Sequence, residues 1–131
     1  MASLRDTVKD YQEELRDGIA WVAFWKTGRS WNAEHFSLEM GDYLYPEDRS
    51  RMEEIKQADP AAVVVNGYYS GYLGKDMSLD ELTAGVRHHY ENGYSNIEEF
   101  IEAHDDRLPP ELIEEARAAA HAAGLPFSEK G

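Results

Sequence analysis

The chain has 131 residues, 42% of them hydrophobic, and its 26 acidic residues against 13 lysines and arginines give a formal net charge of −13. These values predict one domain over residues 1–131 with a modest core, and they disfavour nucleic acid and anionic lipid as direct partners. The absence of cysteine excludes disulfides, thiolate-bound zinc and cysteine nucleophiles.

The first predicted elements are a helix and a β-hairpin. The helix covers residues 3–17, with Ser3 as the N-cap and Gly18 at its end. Its apolar stripe consists of Leu4, Val8, Tyr11 and Leu15. The segments GIAWVAFWK and SWNAEHFSLEM, joined by the turn-like TGRS, predict the hairpin.

The remaining elements complete an α+β fold. Pro46 starts a helix that runs to about Ala58, and the apolar segment AAVVVNG predicts a third strand, placed centrally because it shows no polar alternation. Ser78 forms a capping box that starts the next helix, and a short acidic helix and a final helix follow. The predicted fold class is α+β, with a small antiparallel or mixed three-stranded sheet packed against about five helices.

The stretch VVVNGYYSGYLGKDMS, residues 63–78, joins the third strand to a helix. It is not a phosphate-binding loop, because Tyr69 and Asp76 stand where that motif needs a glycine and a hydroxyl. Two interpretations remain open. Either the tyrosines cover the edge of the hairpin, or Tyr68, Tyr69 and Tyr72 are partly exposed and contact another protein, since a central strand buries only alternate residues.

The histidines do not predict a catalytic or metal centre. His88 and His89 diverge by about 100° on a helix and cannot hold one ion together. We therefore expect no metal, no cofactor and no enzymatic activity. The enzymatic alternative is a small hydrolase or transferase that uses His35 or His89 as a base, beside Glu34 or Glu91.

The C-terminal half of the chain carries most of the negative charge. Between Ser95 and Glu115 there are eight acidic residues and one basic residue, Arg107. The acids are Glu98, Glu99, Glu102, Asp105, Asp106, Glu111, Glu114 and Glu115. Such an array is either a solvated surface that confers solubility or a fixed anionic surface that competes with a nucleic acid for a basic partner.

Small size, the lack of cysteine, the net charge, the acidic segment NIEEFIEAHDD and the tyrosines together resemble the DNA-mimicking anti-restriction and anti-CRISPR proteins of phages and conjugative elements. The resemblance is compositional and covers mainly residues 67–115. It implies an inhibitor from a mobile genetic element that blocks a defence nuclease. The partner-binding residues predicted on this basis are Tyr68, Tyr69, Tyr72, Glu98, Glu99, Glu102, Asp105 and Asp106.

An alternative function is an accessory or scaffold module that self-associates, as a homodimer, through Trp21, Trp25 and Trp31. Only one face of the hairpin is expected to be buried against the helices, and Trp21 and Trp25 fall on the same face as Ala23. This alternative weakens if that face is the core. Because no segment has the apolar length of a secretory signal or a membrane span, we expect a soluble, cytoplasmic protein.

Overall fold

The computed structural model describes residues 2–18, 20–37, 44–70, 76–104 and 110–125. It confirms the α+β class, with a three-stranded antiparallel sheet and six helices in this part of the chain. The elements are α1 (Leu4–Asp10), α2 (Gln12–Asp17), β1 (Trp21–Thr27), β2 (Ser30–Phe36), α3 (Pro46–Ala58), β3 (Val63–Val65), α4 (Leu79–Asn92), α5 (Ile97–Ala103) and α6 (Pro110–Ala122).

The helix starts follow local side-chain chemistry. The Ser3 hydroxyl accepts the Asp6 backbone N–H, and Ser78 forms a complete capping box at α4. The predicted first helix is two helices, because Tyr11 leaves the helical conformation at φ −118°. Its apolar stripe still works as predicted, since both short helices bury their residues in one cluster.

The sheet order is β2-β1-β3, so the prediction that the third strand is central is wrong. β1 is the central strand, pairing Trp21 with Phe36 on one side and Val22 with Val65 on the other. The outer side of β3 is covered by a turn, where the Val64 N–H donates to the Ser95 carbonyl over 2.8 Å. An edge strand that is covered on every side has the same apolar sequence as a central one.

Helices cover both faces of the sheet. α1, α2 and α4 pack on one face, and α3 and α5 pack on the other. β1 therefore buries five consecutive residues, Trp21 to Trp25, which corrects the premise that only one hairpin face is buried. Trp21, Trp25 and Trp31 all lie in the core.

Candidate protein-binding site

A buried asparagine organises the turn that follows β3. Asn66 is only 2% exposed, and its amide group donates to the carbonyls of Gly18 and Ala20 at 3.2 and 3.0 Å. Its side-chain oxygen accepts the backbone N–H groups of Tyr68 and Tyr69 at 2.8 and 3.3 Å. Asn66 thus fastens the tyrosine turn to the connection between α2 and β1, with every polar atom of its side chain in use.

Gly18 lets the two segments approach this closely. It adopts φ +64°, a conformation that favours glycine. A Cβ atom at this position would lie 2.9 Å from the Cβ of Tyr68. The connection therefore needs glycine both for its backbone angle and for the space that Tyr68 occupies.

The turn displays two aromatic rings to solvent. Tyr68 is 74% exposed and Tyr69 is 62% exposed. The Tyr69 ring stacks on the buried Trp21 indole with centroids 5.6 Å apart and planes 7° apart, and Tyr68 meets Tyr69 at 5.0 Å and 78°. We call Tyr68, Tyr69 and the underlying Trp21 the tyrosine platform. Its rings are exposed but held in place from below.

The aromatic contacts continue from the tyrosine platform into α5. Trp21 meets Phe100 edge to face at 4.8 Å and His104 at 5.2 Å. Phe100 and His104 in turn stack at 4.1 Å. The platform is therefore anchored on the buried side of α5.

A third exposed tyrosine lies beside α4. Tyr94 is 53% exposed, and its ring lies 5.4 Å from that of His88 and 6.1 Å from that of His89. Burial lowers the pKa of His89, and the proximity of His88 lowers it further. Hydrogen bonding to the backbones of Tyr94 and Ser70 acts in the opposite direction. The His89 ring thus lies beside the turn that bears Tyr94.

The predicted acids on α5 are all exposed. Glu98 lies 3.9 Å from Lys56, a solvent-exposed pair of small energetic value. In the described part of the chain, Glu99 and Glu102 have no basic side chain within ion-pair distance. Glu98 and Glu102 lie two residues on either side of Phe100, about 160° from it around the helix axis. They therefore point away from the tyrosine platform.

The structure brings together some of the predicted residues. Tyr68 and Tyr69 form one surface, and Glu98 and Glu102 lie together on the far side of α5. Tyr72, Asp105 and Asp106 lie outside the described residues. Sequence reasoning missed Asn66 and the stack of Tyr69 on Trp21, although an Asn-Gly pair directly after a strand is a recognisable signal for an asparagine-capped turn.

The residues of the enzymatic alternative do not form acid–base pairs. Glu34 and His35 are adjacent in β2 and project to opposite faces of the sheet, where Glu34 binds Arg51 at 2.9 Å and His35 approaches Tyr11. His89 and Glu91 are two residues apart on α4 and also diverge. Within the described ranges, no group of three metal-ligating side chains is close enough to hold an ion.

The described helices also include none with the length and apolar character needed to cross a membrane.

Residues 2–100 match the family model described as large polyvalent-protein-associated domain 15. This range includes the whole sheet, the tyrosine platform and the start of α5, whereas α6 lies beyond it. No curated protein and no solved structure matches the chain.

Proposed function

This chain belongs to the large polyvalent-protein-associated domain 15 family, which is associated with mobile elements, and we propose that it is a non-enzymatic binding domain that docks on a basic, nucleic-acid-handling protein. The observation that carries the proposal is the tyrosine platform. Two neighbouring tyrosines are more than 60% exposed, and yet their turn is fixed by a buried, fully hydrogen-bonded side chain.

Fixed exposed rings favour binding for an entropic reason. A free surface side chain loses about 0.5–1.5 kcal/mol of conformational freedom when a partner immobilises it. The backbone of Tyr68 and Tyr69 is already held by Asn66, and the ring of Tyr69 is already stacked on Trp21. Much of this conformational entropy is therefore already lost when the chain folds and is not lost again on binding. The exposed rings of the platform can then form part of an interface.

The charge distribution supports a basic partner. The net charge of −13 repels nucleic acid and steers a cationic protein toward the chain. Glu98, Glu99 and Glu102 follow one another along about 6 Å of the helix axis, because each residue rises by about 1.5 Å. This charge density approaches that of a duplex, which carries one charge per about 1.7 Å.

The finer form of the proposal is inhibition by nucleic-acid mimicry, in which the acidic surface occupies the nucleic-acid channel of a CRISPR or restriction nuclease. α5 alone is seven residues long and corresponds to only a short piece of duplex. A longer mimic requires further acids beyond α5. Glu111, Glu114 and Glu115 are exposed on α6 and are candidates for this role.

Self-association through the tryptophans is disfavoured, because all three are buried and already packed. A scaffold function would need another surface. The tyrosine platform is therefore the better candidate for contact with a different protein.

The proposal is tested by affinity purification with charge variants. The test variant replaces Glu98, Glu99 and Glu102 by glutamine. The control replaces Asp6, Asp10 and Glu13, three exposed acids on α1 and α2, by their amides and removes the same net charge. Wild type and both variants are immobilised and incubated with a nuclease-treated lysate of cells that host the mobile element. Retained proteins are then eluted with duplex DNA.

We expect wild type to retain basic nucleic-acid-binding proteins that the DNA releases, and the α5 variant to retain markedly less than the control. Equal retention by the two variants would reject a role for the α5 acids. Retained proteins that DNA does not displace would reject competition with nucleic acid.

A further inference from the structure

We propose that the tyrosine platform receives an arginine side chain of the partner, which lies against the corner formed by Tyr68 and Tyr69 and pairs with the carboxylate of Asp17. This inference rests on the proposed function, since it assumes a basic protein partner. It adds the chemical group that is recognised and the residues that recognise it.

The geometry of the two rings suits a flat cation. Tyr68 and Tyr69 are nearly perpendicular, at 78°, with centroids 5.0 Å apart, and they form a corner open to solvent. A guanidinium group can lie flat on one ring and direct its N–H edge past the other. An ammonium group is compact and more strongly hydrated, and it gains less from such a corner.

An exposed acid immediately precedes the backbone that contacts Tyr68. Asp17 is exposed and directly precedes Gly18, the residue whose backbone abuts Tyr68. Among the described residues, no basic side chain pairs with Asp17. A guanidinium stacked on an aromatic ring still has free N–H groups, which a nearby carboxylate accepts well.

The same fold already contains this combination of groups. The Arg51 guanidinium lies over the Trp25 ring at 5.7 Å and binds the Glu34 carboxylate at 2.9 Å. Cation, ring and carboxylate are all supplied by the chain at that site. At the platform the described part of the chain supplies two exposed rings, and a cationic partner would complete the same kind of contact.

Other ligands of aromatic surfaces fit less well. Nucleobases also stack on tyrosine, but a net charge of −13 opposes the approach of the phosphates attached to them. A lone apolar side chain would leave the Asp17 carboxylate without a partner. The combination of rings and carboxylate therefore favours a cationic planar group.

The inference is tested with two synthetic peptides, Gly-Arg-Gly-Arg-Gly and Gly-Lys-Gly-Lys-Gly, with blocked termini. Each is titrated into the full chain, and the ring signals of Tyr68, Tyr69 and Trp21 are followed by NMR. We expect the arginine peptide to shift these signals and to bind about fivefold more tightly than the lysine peptide, which corresponds to ~1 kcal/mol of stacking energy. Equal affinities, or shifts that avoid the platform, would overturn the inference.

Variants identify the groups involved. Tyr68→Leu and Tyr69→Leu keep an apolar side chain but remove the ring, and each should weaken arginine-peptide binding about fivefold. Tyr94→Leu removes an exposed tyrosine away from the platform and should leave binding unchanged. Asp17→Asn should weaken binding while preserving the ring shifts. If platform and control variants bind equally, the assignment is wrong.

This outcome is separable from the proposed function. The glutamine variant of the α5 acids leaves the platform intact, so it should keep the preference for the arginine peptide. If the peptides do not discriminate while the α5 variant still loses DNA-displaceable partners, only the arginine site fails. If the peptides discriminate but no basic partner is captured, the docking proposal fails instead.

Discussion

Replacing Asn66 by alanine should destabilise the fold by about 3 kcal/mol, because three hydrogen bonds are lost at about 1 kcal/mol each. The lost bonds join its side chain to the carbonyls of Gly18 and Ala20 and to the N–H of Tyr68. The N–H of Tyr69 is not counted, because it also reaches the backbone carbonyl of Asn66 at 3.1 Å, which alanine retains.

Thermal unfolding and urea unfolding both measure this loss of stability. A loss of about 3 kcal/mol lowers the thermal midpoint by roughly 10 °C in a chain of this length. In urea, the midpoint concentration should fall while the denaturant slope m stays constant. Near-ultraviolet circular dichroism should also weaken, because the Tyr69 ring would lose its fixed stack on Trp21.

The matched control is Asn32→Ala. The Asn32 side chain makes one exposed hydrogen bond, to Thr27 over 2.8 Å, so its loss should cost less than about 1 kcal/mol. If Asn66→Ala costs no more than the control, water or a shifted backbone replaces the lost bonds. The account of a turn held rigid by Asn66 would then be wrong.

Three further predictions concern Gly18, His89 and Tyr90. Gly18→Ala should lower the thermal midpoint more than Gly28→Ala. Both positions have positive φ, but a Cβ at position 18 would contact Tyr68, whereas nothing lies within 4 Å of a Cβ at position 28. Equal losses of stability would contradict the close approach of Gly18 to Tyr68. Burial lowers the pKa of His89, so the unfolded chain binds the proton more readily, and stability should fall below about pH 6.5 by at most ~1.4 kcal/mol per pH unit. The urea midpoints of wild type and His89→Gln should therefore diverge as the pH is lowered. Midpoints that change in parallel would show that His89 is not the cause. Burial and a hydrogen bond to a carboxylate raise the pKa of Tyr90 to about 12, so the stability that protonated Tyr90 gives the fold should be complete below pH 10 and be lost as pH rises toward 12. In an alkaline titration followed by tyrosine absorbance, Tyr90→Phe should lack the ionisation that occurs at the highest pH. An unchanged titration curve would contradict the assignment to Tyr90.

Local interactions made much of the fold predictable. The caps at Ser3 and Ser78 and the helix-ending Gly18 depend on residues within four positions, so the sequence alone places them. The place of β3 in the sheet depends on a turn more than thirty residues away. Sequence composition cannot distinguish that contact from a neighbouring strand, and the predicted strand order was accordingly wrong.

The candidate site was predictable in part. The exposure of Tyr68 and Tyr69 was one of two interpretations left open by the sequence, and its premise of alternate burial fails because all three residues of β3 are buried. Their exposure comes from the turn itself. The stack on Trp21 joins positions 48 residues apart, and no periodicity in the sequence signals it.

The direction of the α5 acids was available from the sequence. Once Phe100 is assigned to the core, the helical period places Glu98 and Glu102 on the opposite side. The predicted set of partner-binding residues combined the tyrosines with these acids without taking that phase into account. The two surfaces therefore lie on different sides of α5.

The central claim is that fixed carboxylates on α5 guide a basic partner to this chain. The most direct test is the association rate of a purified captured partner at low and at high salt, measured for wild type and for the variant with glutamine at positions 98, 99 and 102. We predict that the wild-type rate is faster at low salt and falls steeply with ionic strength, and that the variant is slower with a shallower dependence. Identical rates and identical salt dependence for the two proteins would contradict the claim.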